Sequence, residues 1–374
     1  MGVNAYWFIV AIIIILGIIM PQEGEKRKKY IFIMVALHTF FCGCRYMYIT
    51  GDLRKYAYNY LYVYPKSDWI QSIVINNGRN AGFTLISRLI SIISGGNYQF
   101  FLFFLAILTQ AIVGVIIFKY SVKPWLSYLV WNCFCFYTTY EYAAIKQGLA
   151  MAIIMLAMMA VLEKNIKMFV VCVIIASFIH FPAIIFLPAY FIANSKKSRN
   201  VIIGYALTAT ILFIFRDTVV EIAKDVYYDN DVIDTTIHVS LGGRFFVILS
   251  ILLSGLILKG FKEKKFGQLY GIITIGAIIQ MFSGYNNVFT RFADYYLQFL
   301  ILFIPMIFHN TNKKSEIIEN RDDAIIKFDE RSNKLFVVCL TIVFIWYYYK
   351  TFLGTTSVNE VDDLVNYRFM WQVK

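Results

Sequence analysis

Residues 98–118 read YQFFLFFLAILTQAIVGVIIF, a run without Asp, Glu, Lys or Arg. A helix rises about 1.5 Å per residue, so this run extends about 30 Å, the thickness of a bilayer's hydrocarbon core. Further apolar runs fall at 5–20, 30–49, 125–140, 144–161, 167–180, 181–194, 201–215, 244–259, 268–285, 291–308 and 334–348. Of the 374 residues, 59% are hydrophobic and 16% charged, whereas ordinary soluble domains are about half apolar and a quarter charged. Membrane barrels show alternating segments of about ten residues instead. The expectation is an all-α polytopic integral membrane protein with about 12 transmembrane helices, which excludes a soluble enzyme, a secreted disulfide scaffold and a disordered chain.

The net charge of +12 could signal nucleic-acid binding, so its position matters. The stretch EKRKK (25–29) makes a strong cytoplasmic anchor and places both termini outside. Loops 21–30, 119–124, 162–167, 194–200, 259–267 and 309–334 then face inward and hold 21 of the 35 Lys and Arg against ten acids. The excess charge is a topology signal, and no nucleic acid is expected. The chain reads as a single membrane domain over 1–374, with outer loops 50–97 and 216–243 and a cytoplasmic loop 309–334. The first run has no basic leader, so no cleavable signal peptide is expected. The six cysteines fall inside expected helices without zinc spacing, and no metal site or cofactor is expected.

This topology needs 82–94 (GFTLISRLISIIS) not to cross. At thirteen residues it is too short, and Thr84, Ser87, Arg88, Ser91 and Ser94 recur at helical spacing, as in an amphipathic helix on the outer surface. Basic residues flank 167–194 at both ends, which demands two short helices breaking near His180-Phe181-Pro182.

Ionisable groups at membrane depth are costly and mark function. Arg45, Lys146 with Gln147, His180, Arg244 and Arg291 all approach the outer leaflet in this topology, each with snorkelling or a satisfied core role as its plainer account. Tyrosines 56, 58, 60, 62 and 64 alternate, which would align their rings on one face of an extended segment, for sugars or for the headgroup belt. The acids Asp217, Glu221, Asp225, Asp229, Asp231 and Asp234 lack the glycine and terminal glutamate of a calcium loop and read as a solvated face. Ala144-x3-Gly148-x3-Ala152 is a small-residue seam for close helix packing. Nucleotide-binding and hydrolase motifs are absent.

Taken in order, Arg45-x5-Gly51-Asp52-x3-Tyr56, Gly82-Phe83, Ile145-Lys146-Gln147-Gly148-Leu149-Ala150, Phe178-Ile179-His180 and Arg291-Phe292-Ala293-Asp294-Tyr295-Tyr296 resemble the EpsG family of bacterial Wzy-type polymerases of capsule, exopolysaccharide and O-antigen repeats. The likeness runs from about residue 30 to 300. Two positions depart from it: the family's usual G-T-D-Y is shortened here, since Asp52 directly follows Gly51, and the usual arginine of I-R-Q is Lys146, which keeps the charge but not the bidentate fork.

The resemblance implies a membrane glycosyltransferase that polymerises undecaprenyl-diphosphate-linked oligosaccharide repeats at the outer face of the bacterial plasma membrane, alongside a flippase and a chain-length regulator of the same pathway. A sugar hydroxyl attacks an anomeric carbon and a lipid diphosphate leaves, so the site needs cations and a base. Asp52 and His180 are the candidate catalytic residues. Arg45, Lys146, Gln147, Arg244, Arg291, Tyr56, Asp294 and Tyr295 are the candidate contacts to diphosphate or sugar, and the route is expected to be metal-independent. A membrane O-acyltransferase built on His180 with a partner asparagine or second histidine is the rival enzyme. A polysaccharide or lipid transporter is the rival outside enzymes, and would call for related halves.

Overall fold

The computed structural model describes residues 2–20, 23–48, 50–74, 79–196, 198–226, 241–261, 263–308, 338–350 and 368–372. The acidic positions 229, 231 and 234 and the loop 309–334 lie outside them. In chain order the helices are α1 (Gly2–Ile19), α2 (Gly24–Gly43), α3 (Gly51–Tyr58), α4 (Trp69–Val74), α5 (Ala81–Ile93), α6 (Tyr98–Tyr120), α7 (Pro124–Cys133), α8 (Ile145–Leu162), α9 (Ile166–Ile179), α10 (Ala189–Asn194), α11 (Arg199–Ile214), α12 (Arg216–Val226), α13 (Gly243–Leu258), α14 (Lys264–Gln280), α15 (Asn287–Leu297), α16 (Leu300–Ile307) and α17 (Val338–Tyr348). The extended pairing among the described residues is a single antiparallel bridge, Arg45 with Phe369.

Among the described residues, three stretches are long and apolar enough to cross a bilayer: Tyr98–Tyr120, Ile145–Leu162 and Lys264–Gly284. A bent pair, Asn200–Ile214 with Arg216–Ile222, makes a fourth candidate only if its 80° break lies within one span. Several other apolar runs fold as helices of 10–17 residues. Local breaks account for several of these. Cys135 adopts a left-handed backbone (φ 61°) and divides 125–140 into α7 and a π-helical turn, Tyr137–Glu141. His180 is extended (φ −142°, ψ 103°) and ends α9 before Pro182. The protein is a helical membrane protein, and the expected count of twelve crossings goes beyond the helices that meet both criteria.

The chain forms two compact units, residues 1–149 with 304–374, and residues 150–303. In the first, α2 and α6 pack antiparallel. Gly43 and Gly114 allow this because a Cβ at either would overlap Phe103 or Val35. At one end Arg27 donates to the carbonyls of Ile117, Phe118 and Ser121, and Lys123 donates to Phe308 at 3.0 Å. Burial holds the Lys123 ammonium below the usual lysine range. The basic stretches around Arg27 and Lys123 therefore meet at one end, beside the C-terminal end of α16. At the other, Gln99 donates to the carbonyls of Gly43 (2.6 Å) and Arg45 (3.1 Å).

Helix α5 is amphipathic as its spacing requires, with the polar stripe packed inward: Thr84, Ser87 and Ser91 are buried while Leu89, Ile92 and Ile93 are exposed. That arrangement suits a helix whose outer face meets lipid rather than water. The expected row of tyrosines does not form. Residues 51–66 are helical, so the rings sort at i, i+4 instead of i, i+2. Tyr58 and Tyr62 are exposed and pack tilted against each other with centroids 5.6 Å apart, whereas Tyr60 and Tyr64 are buried.

In the second unit, the segment after His180 folds back along α9. Phe169 packs on Phe186 and Tyr190, and the Tyr190 hydroxyl donates to the Lys164 carbonyl at 3.0 Å. The basic stretches flanking 167–194 thus return to the same end, as their charge requires, and Lys164 stands there beside Lys264. Asn194 accepts from Gln268 at the same end, and α14 and α15 pack closely where Gly276 meets Leu297 and Tyr296.

Candidate functional site

Each unit carries a polar cluster at the end away from its basic loops. In the first, α2 stops at Gly43 and leaves Arg45 just beyond the helix. Arg45 is 1% exposed. Its Nη1 donates to the carbonyl and the sulfur of Cys42, its guanidinium lies 5.3 Å from the Tyr142 ring, and its Nε has no hydrogen-bond partner. Among the described residues no carboxylate comes within ion-pair distance of it. A buried cation in this setting is expensive, so the remaining donor capacity calls for an anion.

The nearest buried acid is Glu141, at the end of the π-helical turn and 4% exposed. Its carboxylate accepts from Thr109 in the middle of α6, its carbonyl accepts the Cys42 thiol, and it lies within electrostatic reach of Arg45. The buried Gln110 amide, one residue on in α6, stands beside the same carboxylate. Gly148 permits this geometry, since a Cβ there would stand 2.5 Å from the Tyr140 carbonyl. The small-residue seam thus packs at Gly148 against the preceding turn. Reading the sequence missed Glu141 because it falls in the gap between two apolar runs, and an acid between runs looks like loop. The available signal was its distance of only a few residues from Lys146.

Lys146 and Gln147 open α8. The Lys146 ammonium lies 5.9 Å from the Tyr56 ring, in cation–π range, and Gln147 is buried. Tyr56 packs on Phe83, the residue that follows Gly82 in α5. Asp52 is partly exposed in the first turn of α3, which Thr50 caps through the Leu53 amide. It makes no side-chain hydrogen bond or ion pair among the described residues. The first unit therefore gathers Arg45, Glu141 and Tyr142 in one place and Tyr56, Lys146 and Phe83 in another.

In the second unit, α15 supplies Arg291, Asp294 and Tyr295, at i, i+3 and i+4. Arg244, in the first turn of α13, grips the Asp294 carboxylate with both Nη atoms, and Asp294 is 2% exposed. The Tyr295 hydroxyl and His180 Nδ1 are 2.6 Å apart, while Arg291 is exposed. The histidine with an asparagine partner is a different one, His38 in the first unit. Its Nδ1 donates to the Met34 carbonyl and its Nε2 accepts from Asn132, so both nitrogens are engaged in the core. Among the described residues no group of three His, Cys, Asp or Glu stands close enough to hold a metal ion.

The polar groups of each unit thus include a guanidinium buried or half-buried at a helix end, with aromatic rings or hydroxyls in the same cluster. The chain belongs to the EpsG family, whose sequence signature matches residues 28–319. This is a family of Wzy-like polysaccharide polymerases and glycosyltransferases. No curated protein and no solved structure matches the chain.

Proposed function

We propose that this protein is a glycosyltransferase that joins oligosaccharide repeat units carried on undecaprenyl diphosphate, at the outer face of the plasma membrane. The observation that supports it most is Arg45: a fully buried cation with an unpartnered Nε and no carboxylate in contact among the described residues. In this reading Arg45 neutralises the departing lipid diphosphate, with Lys146 as a second cation. The attacking sugar hydroxyl gives its proton to Asp52, which stands in the same unit and whose oxygens no described residue engages. His180 is the less favoured base, because its Nδ1 is engaged by Tyr295. The exposed apolar face of α5 and the gathering of described basic stretches at one end of each unit support this placement. The flippase and chain-length regulator of the same pathway are its proposed partners.

The test is to incubate purified protein with an undecaprenyl-diphosphate-linked repeat and separate the products. A ladder of lengths is expected from the wild type, with Asp52→Asn reducing it by about 100-fold or more and leaving the protein folded. Full activity in Asp52→Asn with loss in His180→Ala would move the base to His180. Absence of any ladder, with acyl transfer or transport observed instead, would overturn the reading.

A further inference from the structure

The segment 368–372 lies beyond the family match, yet it is built onto the backbone at Arg45. The Tyr46 amide donates to the Arg368 carbonyl at 2.8 Å and the Met370 amide donates to the Cys44 carbonyl at 2.9 Å, so Arg45 stands opposite Phe369. Phe369 packs on Phe40 and Phe41 with ring centroids 5.9 and 5.7 Å away, and Trp371 stacks on Phe369 at 4.5 Å. The last bond of α2 runs from the Cys44 amide to the Phe40 carbonyl, so helical bonding no longer fixes residues 45 and 46. Ordering such a residue costs backbone freedom. Here that freedom is removed by the bridge on one side and by Gln99, which donates to the Arg45 carbonyl, on the other.

We propose that the segment 368–372 is a positioning element of the site, with Phe369 as its anchor: it fixes the backbone from which the Arg45 guanidinium hangs, ready for an anionic ligand. This rests on the reading of Arg45 as a diphosphate-holding cation. Preorganising a charged group in this way strengthens binding by cutting the ordering cost at the moment of contact. The bridge stays in place during turnover, since its role is to hold and not to open.

The geometry supplies a direct test. In the antiparallel pairing Cys44 stands opposite residue 370, and opposed residues lie about 4.5–5.5 Å apart, within the roughly 4.4–6.8 Å that a disulfide spans. Cys44 is a free thiol. Met370→Cys in membranes, mildly oxidised, is expected to form a disulfide with Cys44, identified by mass spectrometry of the linked peptides. Ladder formation by the locked protein should stay within about twofold of the reduced form. Phe369→Ala is expected to lower ladder formation, and the affinity for geranylgeranyl diphosphate as a probe, by about tenfold. The disulfide should restore both in Phe369→Ala/Met370→Cys, while the thermal unfolding of reduced Phe369→Ala stays close to that of the wild type, which a general folding defect would not allow.

Failure of the disulfide to form overturns the docking. Loss of activity on locking, regained with reductant, shows that the segment must leave Cys44 and overturns the positioning role. An unrescued Phe369→Ala does the same. If even the wild type makes no ladder, the polymerase reading fails, while the crosslink and the diphosphate-probe affinities still decide the role of the segment.

Discussion

Arg45 in the first unit and Arg244 in the second share a side chain and differ in what surrounds it. Arg244 meets Asp294 through both Nη atoms, and the pair cancels most of its own field. Arg45 is buried more deeply, against a carbonyl, a thiol and a tyrosine ring, with Glu141 near but not in contact. The fork of Arg244 is spent on holding α13 to α15, whereas that of Arg45 still has donor capacity. Position at a helix end does not separate the two roles; the company each keeps does. Glu141 lets the protein tolerate the Arg45 charge without quenching it, which a direct ion pair would do.

The largest effect follows from breaking the neutral pair. Asp294→Ala should destabilise the protein by about 3–5 kcal/mol, because Arg244 is left partly buried without its counter-charge. Arg244→Met combined with Asp294→Leu should recover most of that loss, since apolar residues of similar volume often replace a buried pair without cost. Thermal unfolding in detergent, followed by aromatic fluorescence, reads both. Equal losses in the single and double variants would show that the pair is not what fastens α13 to α15.

Arg45 should behave in the opposite way, losing rate more than stability. Arg45→Ala removes one charge-assisted contact to the departing diphosphate, about 3 kcal/mol, or roughly a hundredfold in ladder formation. Arg45→Lys should recover part of this, because a point charge cannot reproduce the planar fork. Full activity in Arg45→Ala would erase the distinction between the two arginines.

The sequence made some of this comparison legible. Net charge in short loops is a local property, so the gathering of Arg27 with Ser121, Lys123 with Phe308 and Lys164 with Lys264 could be anticipated from counting Lys and Arg. The reversal at His180 was equally local, written in Phe181-Pro182 and in basic residues on both flanks. The tyrosines misled because alternation in sequence was taken for an extended backbone, while helical sorting buried Tyr60 and Tyr64. Glu141 was hidden between apolar runs, and only the left-handed turn at Cys135 and the bare face of Gly148 bring it against Thr109. The pairing of Arg45 with Phe369 joins positions more than three hundred residues apart, and no periodicity announces such a contact. Arg45 and Arg244 looked alike for the same reason: the partner that distinguishes them, Asp294, is fifty residues away from one and absent from the other.

The smallest expected effect is the most specific. A glycosyl transfer that expels a diphosphate needs positive charge at the leaving group, and either a divalent ion or fixed cations can supply it. If Arg45 is the charge held in reserve, with Lys146 as its companion, the diphosphate is already balanced before a metal arrives. Ladder formation in EDTA should then stay within about twofold of that in buffer, and added magnesium or manganese should not raise it. Arg45→Ala is the sharper arm of the same experiment. With the guanidinium gone, added divalent ion should rescue part of the lost rate, since a mobile cation can take over some of the charge that a fixed one supplied. Loss of wild-type activity in EDTA, restored by divalent ion, would show that the metal carries the leaving-group charge. Arg45 would then hold structure as Arg244 does, and the contrast between the two units would reduce to a difference in partners with no consequence for the chemistry.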